Sequence, residues 1–454
     1  MEAQSQINFW NQLQLIIETV CQEFDSQWQL RKRVLNTQFL VLFIFKLIMS
    51  KNKQGYNSVI GELWDSANSP DDLPQKYPVA ASSICEARQK MPEIIFEKLN
   101  QAVLMHWNQT NIPPTWHGRR IFAVDGSKLN LPHELEHAGY KIQRKDVRYY
   151  PTGLMSTLYH LSEGMVYDFA LESHLDERMC AIDHMDKMSE GDVMVLDRGY
   201  FSYLLLHKSI EKNIHIVCRM QLGTVNQEIK KFWDSQETDI VVNYTPSAAV
   251  ISDLKKRGFK LKNKSTPLRL IKYKIDNETY VCGTTLIGEQ YSIDEFQKLY
   301  HGRWGIEELY KISKLYIDVE DFHSSTERGV KQELYAHLLL INIARIFESE
   351  AKNKLPPPTA TDKNIDSKNA YWQGFCENLQ TIKINFKNCL LVVERYLLKL
   401  FFKASGLISD WLPKAISLIA RVKQKIRPGR HYPRFSHKPI KKWASGNNPK
   451  SVGA

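Results

Sequence analysis

Metal-binding cysteine spacing is missing from this sequence. Its seven cysteines, at 21, 85, 180, 218, 282, 376 and 389, are scattered and never form a Cys-x2-Cys pair. That pattern sets aside a zinc ribbon or a disulfide framework, and an odd, dispersed set reads as reduced thiols of a cytoplasmic protein. Long apolar runs are missing too. The richest, Phe39 to Met49, contains Lys46 and falls far short of the roughly 20 residues of a membrane span. A buried helix is expected there, and no membrane partner. Met1-Glu2-Ala3-Gln4 does not begin a signal peptide. No internal repeat is visible, which sets aside repeat architectures. Acidic residues are in deficit, 50 Asp and Glu against 61 Lys and Arg, for a net charge of +11 and a pI near 9.1. The basic excess favours a polyanionic partner, nucleic acid before membrane. Hydrophobic content of 43% and charged content of 24% are ordinary for a globular chain, and 454 residues allow two to four domains.

What the chain does contain changes character along its length. Residues 1–112 have helical periodicity near 6–24, 28–50, 55–67, 80–91 and 92–109 and read as all-helical; with the candidate helix that follows, they are expected to form a helical DNA-binding domain. Within it, Ser82 to Lys90 could be a recognition helix offering Ser82, Ser83, Arg88 and Lys90 to DNA, or a helix that merely packs on its neighbours. Asn111-Ile112-Pro113-Pro114 makes a linker. Strands and helices then alternate, which argues an α/β sheet. Arg120 to Ser127 is an apolar strand ending in Asp125-Gly126, and Asp192 to Tyr200 another ending in Asp197-Arg198-Gly199. Gly153 to Leu161 and Met165 to Leu171 read as a hairpin, Glu177 to Met188 and Ser202 to Lys212 as helices, His215 to Arg219 as a strand. Ligands gather beyond the carboxyl ends of strands in such sheets, where both Asp residues fall. A β-rich insertion is expected over about 221–290, with strands at 239–244, 267–276 and 278–286 around Lys-rich connections. A long apolar helix over 328–350 follows, then a Pro-rich linker, two helical stretches near 377–404 and 408–425, and a basic tail from Arg427 that could lie along a phosphate backbone or simply be solvated.

The stretch Tyr300 to Lys314 reads as the middle of one helix, opened by a capping box at Ser292 to Glu295. On a wheel, Tyr300, Arg303, Glu307, Lys311 and Lys314 share an arc of roughly 80°. One face then presents a phenol, a carboxylate and three cations. A salt-bridged surface helix would carry charge too, yet this mixture suits a phosphodiester site, where a carboxylate holds metal and cations hold phosphate oxygens. Three acids stand out: Asp125, Asp197 and Glu307. Each strand-end Asp alone could be only a turn former; together the three match what two-metal phosphoryl chemistry needs.

At these residues the sequence resembles a family. Tyr300-x2-Arg303-x3-Glu307-x6-Lys314 resembles the Tyr-Arg-Glu-Lys signature of one large group of bacterial insertion-sequence DDE transposases. Val124-Asp125-Gly126-Ser127 and Leu196-Asp197-Arg198-Gly199-Tyr200-Phe201 resemble that group's two Asp motifs, in the same order. The resemblance covers roughly 115–350. It implies a ribonuclease-H-like catalytic domain over 115–350 with the β-rich insertion, flanked by the helical N-terminus and by a helical C-terminal region, 370–454. It implies cut-and-paste transposition: cleavage at transposon ends supported by two Mg²⁺ ions, with Mn²⁺ able to substitute, then transfer of 3′-OH ends into target DNA. Asp125, Asp197 and Glu307 would hold the metal. Tyr300, Arg303 and Lys314 would hold phosphates of the transposon end, with Lys311 secondary. Tyr280 is the nearest candidate for an aromatic stacking on a flipped base in a hairpin step, or it is ordinary strand packing. Arg198 could contact DNA or pair with a nearby acid, and Trp304 is expected as core or support rather than as a base contact. The partners implied are double-stranded DNA, as inverted-repeat ends and target, and a second copy of the chain, in a cytoplasmic, nucleoid-associated protein. A ribonuclease-H-like nuclease that cuts without joining, and a domesticated DNA-binding protein without catalysis, remain open.

Overall fold

A computed structural model describes residues 2–425 apart from short breaks (30–33, 51–54, 68–72, 74, 144–149, 222–225, 260–264, 276–277, 289, 316, 403–405) and a longer one, 356–381. The basic tail and most of the Pro-rich linker lie outside the described residues. Five helices come first: α1 (Glu2–Trp28), α2 (Thr37–Met49), α3 (Tyr56–Ser66), α4 (Ala81–Lys90) and α5 (Ile94–Thr110). The α2 helix starts later than its periodicity suggested, because Asn36 caps it by accepting from the Phe39 amide. It is apolar all round and buried all round, as expected of the Phe39–Met49 run.

The sheet elements follow: β1 (Ile121–Asn130), β2 (Thr152–His160), β3 (Met165–Glu172), α6 (Glu177–His184), β4 (Val193–Leu196), α7 (Tyr203–Glu211) and β5 (His215–Arg219). The insertion contributes α8 (Gln227–Asp234), β6 (Asp239–Tyr244), α9 (Ala248–Lys256), β7 (Thr266–Ile275) and β8 (Glu278–Thr284). Its strands extend the main sheet past β5, giving an eight-stranded order β3-β2-β1-β4-β5-β8-β7-β6. Strands β1, β4 and β5 run parallel, and the others pair antiparallel. The α8 and α9 helices were not foreseen; Asn226 and Ser247 cap them, and α9 ends just before Gly258, which takes a left-handed φ of 88°.

The Tyr300–Lys314 stretch is two helices, not one: α10 (Ile293–Gly302) and α11 (Trp304–Leu315). At the junction the Arg303 amide bonds to the Tyr300 carbonyl and the Ile306 amide to the Arg303 carbonyl, tight i to i+3 turns that break the wheel at Arg303. The capping box at Ser292 and Glu295 is present. Then come α12 (Glu327–Lys352), β9 (Ile382–Ile384), α13 (Phe386–Phe401), α14 (Ile408–Arg421) and β10 (Lys423–Lys425), the two short strands pairing with each other.

Side-chain alternation sorts the sheet into two faces. Phe122, Val124, Met194 and Leu196 join a core under α6, α7 and α8. Ile121, Val193 and Val195 join a core on the opposite face, under α10. The largest core runs from the N-terminal helices through β1–β3 to α11, α12, α13 and α14. Among the described residues, 1–112 therefore have no core separate from the rest. Arg88 is part of the join: it is 4% exposed and bonds Glu333, Gln332 and the Gly329 carbonyl on α12. It is a packing residue and is not available to DNA, whereas Ser82, Ser83 and Lys90 are exposed.

Candidate active site

The parallel register of β1 and β4 brings the two Asp residues together. The last paired residues are Ala123 and Val195, and two positions further along each strand stand Asp125 and Asp197. A two-residue step returns each side chain to the face of Ala123 and Val195, which is the face that α10 and α11 cover. Two distant motifs thus meet at adjacent strand ends because the pleat has period two and the strands are in step.

Helices α10 and α11 supply the rest. The Tyr300 hydroxyl donates to Asp197 Oδ1 at 2.9 Å. The Arg303 guanidinium donates to Glu307 Oε1 at 2.8 Å and lies 3.8 Å from Asp125 Oδ2. Arg303 is only 7% exposed, and its buried Nε has no hydrogen-bond partner among the described residues. Tyr300, Arg303 and Glu307 do converge with the acids, although the helix that was to align them is broken. The two lysines stay outside this group. Lys314 donates to the Lys128 carbonyl at 2.9 Å, and Lys311 pairs with Glu308 on the surface at 3.3 Å.

The two Asp residues are tuned apart. Burial pushes the Asp125 carboxyl up to about 6; Arg303 and the Gly126 amide oppose that shift without cancelling it, and Glu177 and Asp197 add to it. Burial would raise Asp197 as well, but the Arg198 amide, the Tyr300 hydroxyl and the Arg303 and Arg219 charges outweigh it and hold Asp197 below the ordinary carboxylate range. Burial, then the Asp197 charge, push the Tyr300 phenol up, so it remains a donor.

Sequence reading missed two of these neighbours. Arg219 ends β5, the parallel neighbour of β4, and the rule that singled out strand-end Asp would have found it. Its guanidinium lies 4.4 Å from the centre of the Tyr280 ring. Glu177 opens α6 close enough that a Cβ on Gly126 would sit 3.0 Å from its Cγ; only the fold brings it there. Helix α6 is anchored by His184, which links Ser156 on β2 to Asp168 on β3 at 3.0 and 2.8 Å. Ser156 is fully buried, so this chain of three is a strut, with no path to a substrate.

The remaining candidates sit further out. Exposed Arg198 lines a cleft of about 670 Å³ with Arg219, Gln221 and Trp233. Tyr280 stacks on Tyr273 with ring centres 5.8 Å apart and donates to Glu278. Trp304, expected as core or support rather than as a base contact, is not in the core: it is 47% exposed and stacks on His301 just past the turn at Arg303.

Three carboxylates are the hard oxygen donors a divalent cation takes, and the raised Asp125 carboxyl lacks a full countercharge, so the donor chemistry fits such an ion. Among the described residues no three His, Cys, Asp or Glu side chains stand close enough to share one ion. Arg303 engages Glu307 and is the cation lying between that acid and Asp125.

Residues 116–343 match the family described as transposase DDE domain. The chain is 22% identical over 422 residues to the transposase InsG for insertion sequence element IS4 of Escherichia coli strain K12, over 89% of this chain and 86% of that one. It is 22% identical over 279 residues to the transposase for insertion sequence element IS231F of Bacillus thuringiensis subsp. israelensis, over 50% of this chain and 56% of that one. Among solved structures it is similar to the piggyBac transposase synaptic complex with hairpin DNA, at a TM-score of 0.47 and 10% identity, over 92% of this chain and 84% of that chain. The family match takes in half of the chain, from the residues before β1 into α12, with both strand-end Asp residues and Glu307 inside it: the chain belongs to the transposase DDE domain family.

Proposed function

We propose that this DNA transposase uses Asp125, Asp197 and Glu307 as its metal-holding carboxylates on a ribonuclease-H-like core, and that it falls in the Tyr-Arg-Glu-Lys group. The observation that carries the reading is the register-matched Asp pair facing the helix that bears Glu307. The strand order β3-β2-β1-β4-β5, with β1, β4 and β5 parallel, supports the core. When bound, two Mg²⁺ ions, or Mn²⁺ in their place, would polarise the scissile phosphate and activate the attacking oxygen. With an ion bound, Glu307 would hold it beside Asp125 and Asp197, and Arg303 would then be available to offer its fork to phosphate oxygens. Tyr300 holds Asp197 in place through its hydroxyl and then donates to the transposon end. Lys314, Lys311 and Arg198 extend the cationic path for the DNA backbone, and Tyr280, near Arg219, remains the base-stacking candidate.

The helices of 1–112 read the transposon end, through the exposed side of α4 and its neighbours, and paired ends call for a homodimer. No helix among the described residues is long and apolar enough to cross a membrane. Replacement of Asp197, Asp125 or Glu307 by Ala is expected to remove Mg²⁺-supported cutting of end DNA while leaving end binding intact. Wild-type cutting by Asp197→Ala would refute the assignment. Joined products with target DNA distinguish transposition from cutting alone.

A further inference from the structure

We propose that Tyr310 is a positioning residue that fixes the gap between Glu307 and Asp125, and so sets how tightly the acids take a divalent ion. The proposal rests on the reading of those two acids as metal ligands. Tyr310 lies three residues beyond Glu307 on α11 and is 8% exposed. Its hydroxyl donates to the main-chain carbonyl of Asp125 at 2.5 Å and meets Thr157 Oγ1 at 2.9 Å. Thr157 is the residue opposite Asp125 in the β1–β2 register and is fully buried. One hydroxyl therefore ties the Glu307 helix to both strands at the level of Asp125.

Lys314 also reaches β1, donating to the Lys128 carbonyl at 2.9 Å from a long, flexible side chain at the far end of α11; the contacts beside Glu307 are of a different kind. Ile306 and Leu309 enter the core as apolar side chains, and Gly305 passes close to the Tyr159 ring, where a Cβ would stand 3.2 Å from Cε1. Apolar contacts hold the helix against the sheet but resist sliding weakly, since dispersion and burial are not directional. A hydrogen bond to a fixed strand carbonyl is directional. Removing it should leave α11 docked and let Glu307 drift relative to Asp125. Groups that orient a ligand from behind change metal affinity by about ten- to a hundredfold when removed.

The experiment uses the full chain bound to end DNA, with Mn²⁺ as probe and its binding read by electron paramagnetic resonance. Tyr310→Phe keeps the ring and deletes the hydroxyl; Thr157→Val removes the second partner but leaves the bond to Asp125. Thermal melts of each variant set a temperature at which all are folded. Tyr310→Phe is expected to weaken Mn²⁺ binding by about tenfold or more, with end-DNA affinity unchanged and Thr157→Val near wild type. Wild-type Mn²⁺ affinity in Tyr310→Phe, or an equal loss in Thr157→Val, overturns the proposal. Asp125→Ala is the reference: if it too binds Mn²⁺ like wild type, it is the metal site that fails, and not the role of Tyr310 within it.

Discussion

Arg303 is buried yet charged, and its acid partners come from a strand and a helix. On the role proposed for it, loss of its side chain would remove phosphate contacts, each charge-assisted bond being worth roughly 1.5–3 kcal/mol, or about ten- to a hundredfold. It also removes a cation that lowers Asp125. Burial pushes the Asp125 carboxyl up to about 6 before an ion binds, so protons compete with the ion for it and nicking should fall toward acid pH in the wild type. In Arg303→Ala the carboxyl rises and the acid limb should move to higher pH. Glu307→Ala should abolish nicking at every pH, while Arg303→Ala should retain it at alkaline pH and lose most on later steps; pH–rate profiles on intact and pre-nicked ends check this. A second titration bears on stability. Burial, then the Arg120 charge, lower His160 to about 3, and its Nδ1 accepts the Glu163 amide, which a neutral ring can do. The folded value lies below the unfolded one, near 6.5. Stability from this group is therefore complete above about 6.5 and is lost as pH falls toward 3. Between pH 7 and 5 the loss should be about 2 kcal/mol, visible in urea midpoints and flattened in His160→Gln.

At the scale of elements, two joints govern how helices meet the sheet. The first is the turn between α10 and α11, where Gly305 gives room for Tyr159 and Arg303 drops toward the acids. Wheel reasoning grouped Tyr300, Arg303 and Glu307 correctly, because three- and four-residue steps survive one tight turn. It also put Lys311 and Lys314 on that face, and both stay outside the group, because their direction depends on the break. The second joint is α4 on α12, held by the buried Arg88–Glu333 pair at 2.9 Å. Arg88→Ala would leave Glu333, 1% exposed, without its guanidinium partner and held only by the His323 amide and ring. That should cost about 3–5 kcal/mol, read as a lower urea midpoint, and Glu333→Gln in the same chain should restore part of it.

Over the whole molecule, the N-terminal helices share their core with α12, α13 and α14, which lie more than 200 residues later in the chain. A fragment of residues 1–112 would expose the apolar side of α2 and α5. It should show no cooperative thermal transition and should associate in solution, while the full chain melts as one unit; a scanning calorimetry trace of each decides this. The sequence by itself determined what is local: most strand and helix positions within a few residues, though not α8, α9 or the break before α11, and the capping box, the basic balance, and the acids at strand ends, because caps, periods of 2 and 3.6, and turn chemistry are written in neighbouring residues. Tertiary structure decided what depends on residues far apart: that Asp125 and Asp197 share a face, that Arg88 meets Glu333 and not DNA, that Arg219, Glu177 and Tyr310 join the acids, and that the insertion strands extend the sheet. Those outcomes follow from strand register and helix docking, and both are fixed by burial across the folded chain, a quantity no single stretch of sequence contains.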